Sequence, residues 1–140
     1  MIKKLMYPGE YNRNMDYMLL IVRLIGGIFM LTHGWGKLER LLGDDPIKFA
    51  DPLGVGDATS LVLAVFSEVF CAILLIIGFA TRYATIPLII TMLVAAFIVH
   101  SGDPFAKQEL PILYATIYIV NAVAGAGKYS LDYILFVRKK

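Results

Sequence analysis

Residues 17–38 read YMLLIVRLIGGIFMLTHGWGKL, and the fold turns on how they are read. The stretch is long enough to cross a bilayer, for which about 20 apolar residues are needed. Yet it carries Arg23 in its interior and His33, Trp35 and Lys37 toward its far end. An ionisable side chain at the centre of an apolar span costs about 2.5–3.5 kcal/mol on an insertion scale, so the fold must supply Arg23 with partners. Arg23, Gly26, Met30, His33 and Lys37 recur at alternating intervals of three and four residues and share one face of an α-helix. That face is small and polar, and it is expected to turn toward other helices rather than toward lipid.

The composition agrees with a membrane protein. The chain has 140 residues, 59% hydrophobic and 17% charged, with a mean hydropathy of +0.72. Soluble domains run nearer 45–50% apolar and about 25% charged. A net charge of +2 and the lack of a basic run interleaved with aromatics argue against nucleic acid as a partner. One cysteine, Cys71, excludes an intrachain disulfide and a CxxC redox pair. The polar opening MIKKLMYPGEYNRNMD has no short apolar core with a cleavage site, so no secretory leader is expected.

Three further apolar segments follow the first, and together they predict spans over about 17–36, 58–79, 83–100 and 110–125. Pro87 and Pro111 lie near the starts of the third and fourth, where a helix tolerates proline, and Gly125 and Gly127 mark the last stop. The expected fold is an all-α membrane protein, a four-helix up-down bundle over residues 17–132. A tail of residues 1–16 and a basic tail of residues 133–140 flank it. Lys3, Lys4, Arg13, Arg82, Lys128, Arg138, Lys139 and Lys140 fall on one side of this topology. Lys37, Arg40, Lys48 and Lys107, mixed with acids, fall on the other. The bias predicts both termini in the cytoplasm and the loop over residues 39–57 outside, in a bacterial inner membrane.

Helix direction gives each polar residue a depth. Glu68 lies near the middle of the second span and Arg23 toward the cytoplasmic end of the first. At 1.5 Å per residue they differ in depth by about 5–10 Å, which an arginine side chain can cover. The expectation is an Arg23–Glu68 ion pair, with two separately solvated groups as the alternative. Asn121 shares a face with Tyr114, Tyr118 and Gly125, while His33, Lys37, His100 and Glu109 lie toward the outside. Arg23, His33, Lys37, Glu68, His100, Glu109, Tyr114 and Asn121 are therefore the candidate ligand-binding residues, forming one polar seam that opens outward. No catalytic residue is assigned. No HxxxH or ExxH pair sits on one helix, so no metal is expected. The plain alternatives are a register-setting ion pair, interfacial histidines, packing tyrosines and glycines that let helices approach.

RLIGGIFMLTHGWGKL (23–38), Glu68, LLIIGFATR (74–82), His100, ELPILY (109–114) and GAGKYSLD (125–132) occur in an order and spacing that resembles the DoxX family of small bacterial inner-membrane proteins. The resemblance covers about Met18 to Asp132. It implies a four-helix membrane bundle. It also implies a link to redox chemistry, since relatives include the small subunit of a thiosulfate:quinone oxidoreductase and a mycobacterial protein associated with a superoxide dismutase and a sulfurtransferase. A remoter likeness to quinone reductases of the vitamin K epoxide type lacks the paired thiols those enzymes use.

Three functional classes follow. The first is an accessory or membrane subunit for redox chemistry that binds a small polar or quinone-like molecule, or docks a redox partner protein, in the seam. The second is a transporter of a small solute or proton, with a homo-oligomer supplying a wider path. The third is a non-catalytic scaffold. Lipid is a partner in all three, and quinone is the candidate cofactor. Autonomous catalysis has the least support, because there is no thiol pair, phosphate-cradling loop or metal-ligand spacing.

Overall fold

Asn12 starts the first helix by accepting the N–H of Met15 on its side-chain oxygen at 3.0 Å. Helix α1 then runs over Arg13–Leu42, 30 residues, with Asp16 in its first turn and Arg40 in its last, as the helix dipole favours. The computed structural model describes residues 7–137, and no strand occurs among them. Helix α2 spans Asp57–Ile77 and α3 spans Thr81–Val99. Helix α4 spans Phe105–Ala124, and a short α5 covers Leu131–Phe136. Among the described residues, α1, α2 and α3 are long and apolar enough to cross a membrane. Helix α4 has 20 residues, but Lys107, Gln108, Glu109 and Asn121 dilute its apolar run.

Each helix departs in length from its sequence-predicted span. Helix α1 extends past both ends of 17–36 because the Asn12 cap and the last-turn charges keep the polar flanks helical. Helices α2 and α3 begin earlier than expected and stop at Ile77 and Val99, while α4 starts ahead of residue 110. Residues 133–136, expected as tail, are helical, with Ser130 capping α5 by accepting the N–H of Tyr133. Lys3, Lys4, Arg138, Lys139 and Lys140, which carry much of the orientation signal, lie outside the described residues.

Two apolar clusters hold the helices together. Met30, Leu75, Leu88 and Tyr118 pack among small residues in the larger. Leu61, Val65 and Val69 form the smaller, covered by Leu38, Leu41, Ile47 and Phe49. Close approach of α1 to α2 depends on Gly34, where an added Cβ would lie 2.8 Å from the carbonyl oxygen of Glu68. The expected inward face is largely borne out, since Arg23, Gly26 and Met30 are buried.

The predicted Arg23–Glu68 pair does not form. The Arg23 guanidinium donates to the carbonyl oxygens of Ala126 and Tyr129, each at 2.6 Å. These belong to the segment between α4 and α5, which folds back across the N-terminal part of α1. The segment is fastened at several further points. Asp16 accepts the N–H of Lys128 at 3.0 Å, Gly127 donates to the carbonyl of Pro8 at 2.8 Å, and Tyr11 donates to the carbonyl of Ala124 at 2.9 Å. Gly78 ends α2 in the left-handed region, with φ of 70°, and a Cβ there would meet both Ser130 and Arg23. Buried Asp132 accepts the N–H groups of Ala80 and Thr81 at 2.8 and 3.1 Å. It thereby holds Ala80 at φ of 48°, a conformation a non-glycine residue seldom takes. Arg23, Asp16 and Asp132 thus fasten residues 8–16, residues 124–132 and the α2–α3 turn into one polar knot.

Replacing Arg23 by methionine keeps the volume but strands the two carbonyls. Stability is expected to fall by about 2–4 kcal/mol, read as a lower unfolding temperature. Amide exchange should quicken at residues 125–130 while residues 57–65 stay protected. Uniform loss of protection along the chain would show that the knot is not a local fastening.

Candidate functional site

At the other end of the bundle, Lys37 donates to both carboxylate oxygens of Glu68, at 2.5 and 2.6 Å. The Glu68 side chain is 3% exposed and that of Lys37 is 29% exposed, so the carboxylate is inside and the ammonium reaches in from the rim. Three features of the chain bring them together. The backbone widens to π-helix over Phe66–Cys71, and such widened turns often re-aim a side chain at functional sites. Gly34 lets that turn lie against α1. Lys37 follows Gly34 by three residues and shares its side of α1. A second π-helical stretch, Ala95–Val99, ends α3 just before His100.

The pair lines a cavity of about 320 Å³, with His33, His100, Lys107 and Tyr114 completing its polar wall. Met30, Met92, Ala95, Ala106, Leu110 and Pro111 make the apolar wall. The rings of His33 and Tyr114 meet edge to face at 5.9 Å, and Tyr114 stacks on Tyr118 at 6.1 Å. His100 is set by its own turn. Its Nδ1 lies 2.7 Å from Asp103 Oδ2, and its carbonyl accepts from Gln108 at 2.8 Å. Lys107 bonds the other Asp103 oxygen at 3.2 Å. The His100 hydrogen bond, and then that of Lys107, hold the Asp103 carboxyl below its ordinary range.

The α1–α2 loop roofs the pair. The Phe49 ring centroid lies 5.9 Å from Lys37 Nζ. Asp51 anchors the loop to α2 by accepting from Val55, Gly56 and the Ser60 hydroxyl at 2.8–2.9 Å. These bonds, that of the Gly56 N–H foremost and then that of the Ser60 hydroxyl, pull the Asp51 carboxyl below the usual carboxylate range.

The predicted seam is therefore divided. His33, Lys37, Glu68, His100 and Tyr114 share the cavity. Arg23 lies 14 residues before Lys37 on α1, about 21 Å along the axis, and belongs to the knot. Asn121 is fully buried and donates to Ile117 of its own helix at 2.9 Å, apart from the cavity. Its side-chain oxygen has no partner among the described residues. Glu109 is exposed and outside the cavity lining. Sequence reasoning missed Lys107, Met92 and Asp103. The i, i+4 spacing of Asp103 and Lys107 across the start of α4 was the available signal. Among the described residues, no three His, Cys, Asp or Glu side chains gather as a metal-binding group.

The arrangement combines a balanced ion pair, two imidazoles and an apolar wall. It can receive a small molecule with a polar edge and an apolar body. Comparison with known proteins supplies the context. A family model described as DoxX matches residues 18–101. An uncharacterized protein of Haemophilus influenzae is 32% identical, covering 83% of this chain and 89% of that protein. A protein of Bacillus subtilis named putative oxidoreductase CatD is 27% identical over 92% of this chain and 95% of its own. The inner membrane protein YqjF of Escherichia coli is 28% identical over 86% and 93%. No solved structure matches the chain significantly.

Two outcomes follow from this geometry. Lys37→Met leaves a buried carboxylate unpaired, and Glu68→Leu leaves an ammonium facing apolar walls, so each should cost stability, by about 1–3 kcal/mol given the partial exposure of Lys37. The double variant should be more stable than Lys37→Met alone; strictly additive unfolding energies would show that the pair is not coupled. For Asp51, the folded carboxyl titrates below its unfolded value of about 3.9, so its contribution is present above that pH and lost as the pH falls through the depressed value. Limited proteolysis should cut residues 43–56 faster as the pH drops below about 4, and Asp51→Asn should remove that acid step.

Proposed function

This chain belongs to the DoxX family and is a multi-pass protein of the bacterial inner membrane, and on that footing we propose that it is a membrane accessory subunit for redox chemistry that holds a small polar or quinone-like molecule in the Lys37–Glu68 cavity. The observation that carries this reading is the carboxylate itself. Glu68 is buried in an apolar bundle, bonded through both oxygens, and borders an open cavity that is lined by two imidazoles. A pair that served only helix register has no need of an access route lined by further polar groups. The name of the B. subtilis relative, putative oxidoreductase, adds weight to the redox side of the proposal.

The proposal includes four spans with both termini in the cytoplasm. Helix α4 would be the fourth, its Lys107–Glu109 turn at the outer interface and its Tyr114, Tyr118 and Asn121 turned inward. The cavity would then open outward and the Arg23 knot would face the cytoplasm. Redox partner proteins or further copies would complete the assembly.

Native mass spectrometry of the protein released from its own membranes in a gentle detergent tests this reading. The expected result is a retained small molecule in the wild type that is lost from folded Glu68→Gln and His33→Ala variants. Retention of the same mass in both variants would move the ligand out of this cavity and overturn the proposal.

A further inference from the structure

Within the cavity, one nitrogen stands apart. His100 spends Nδ1 on Asp103, at 2.7 Å. Asp103 is outside the cavity lining while His100 is part of it. A neutral imidazole has one donor and one acceptor nitrogen, and a carboxylate at Nδ1 fixes the proton there. Nε2 is left with its lone pair as the nitrogen available to the cavity. The ring is held from several directions: the π-helical end of α3 precedes it, Gln108 bonds its carbonyl, and Lys107 clamps the far oxygen of Asp103. A carboxylate bonded to one ring nitrogen fixes the ring and orients the other nitrogen toward a proton donor.

The other groups around the cavity determine what it can serve. Lys37 and Lys107 bring ammonium groups, Glu68 is occupied by Lys37, and His33 and Tyr114 bring rings. Met30 and Met92 bring polarisable sulfurs suited to the edge of an aromatic ring. The cavity therefore offers a proton acceptor, ammonium groups already balanced by Glu68 and Asp103, and apolar walls with ring and sulfur faces. Deepening the cavity reading above, on which this rests, we infer that the ligand is an aromatic molecule with an acidic hydroxyl, a phenol or hydroquinone, whose proton passes to His100 Nε2 with Asp103 as the positioning residue. In this step the ligand O–H bond breaks and an Nε2–H bond forms. The electron pair stays on the ligand oxygen as a phenolate, which faces the His100 imidazolium that the transfer creates. No electron is exchanged.

The test uses the full chain in detergent and two probes of similar size. Para-nitrophenol changes colour on losing its proton, and nitrobenzene lacks the hydroxyl. Binding is followed by equilibrium dialysis against each probe. The wild type should bind both and hold para-nitrophenol as phenolate at a pH where the free compound is mostly neutral. Asp103→Asn, which keeps an acceptor for Nδ1 but removes the charge, should bind nitrobenzene unchanged, bind para-nitrophenol about tenfold more weakly, and leave it neutral. Nitrogen NMR of the His100 ring in a His33→Gln background gives a ligand-free second measure, with the proton expected on Nδ1. A bound but neutral para-nitrophenol, equal affinities for the two probes, or a proton on Nε2 would overturn the inference and leave the cavity reading intact. Failure of both probes to bind would overturn the aromatic-ligand inference, while the cavity reading stands or falls on the mass spectrometry above.

Discussion

A guanidinium inside an apolar bundle must meet oxygen, and here it meets backbone. Arg23 is almost completely buried, and its two hydrogen bonds go to the carbonyls of Ala126 and Tyr129. Those carbonyls lie outside any helix and would themselves be short of donors in an apolar setting. The interaction therefore meets two needs at once. It solvates a cation, and it fixes an irregular segment against α1. The placement of Gly78, Ala80, Asp132 and α5 follows from it, because the same segment carries Ser130 and Asp132 to the α2–α3 turn. Charge balance is local as well, with the carboxylates of Asp16 and Asp132 both taken up in the knot.

The two ends of α1 solve the same problem differently. At the Arg23 end, neighbouring backbone fills the space around the charge. At the Lys37 end, the charge meets a carboxylate directly, and the pair borders a cavity. Both π-helical stretches border that cavity, one carrying Glu68 and the other leading into His100. A widened turn gives up regular hydrogen bonding to redirect a side chain. Two such turns beside one space, with a glycine contact at Gly34, concentrate the departures from α-helical pairing within the long helices at the site. The loop over this end is anchored by Asp51 and approaches Lys37 through Phe49.

The helix content, the inward face of α1 and the cavity membership of His33, Lys37, Glu68, His100 and Tyr114 were legible in the residues. Periodicity and depth along a helix axis are linear properties, and sequence reports them directly. The pairing of Arg23 was misread because depth alone ranked Glu68 as a partner. Which side of α2 Glu68 faces depends on the π-helical turn at Phe66–Cys71, and apolar residues such as Val65, Phe66 and Val69 carry no signal for that insertion. Carbonyl groups are invisible as partners in a sequence, since every residue has one.

The sequence by itself determined that this chain is helical, membrane-embedded and a DoxX relative, and that charged residues had to be received inside it. Burial cost is a property of residue types, and it forces those conclusions whatever the packing. Only the tertiary structure decided which groups receive which charges. It gave Lys37 to Glu68, Arg23 to a loop backbone, and Asp103 to His100. These assignments turn on ångström-scale approach and on rotation about helix axes, which small residues and widened turns set collectively and no single residue announces.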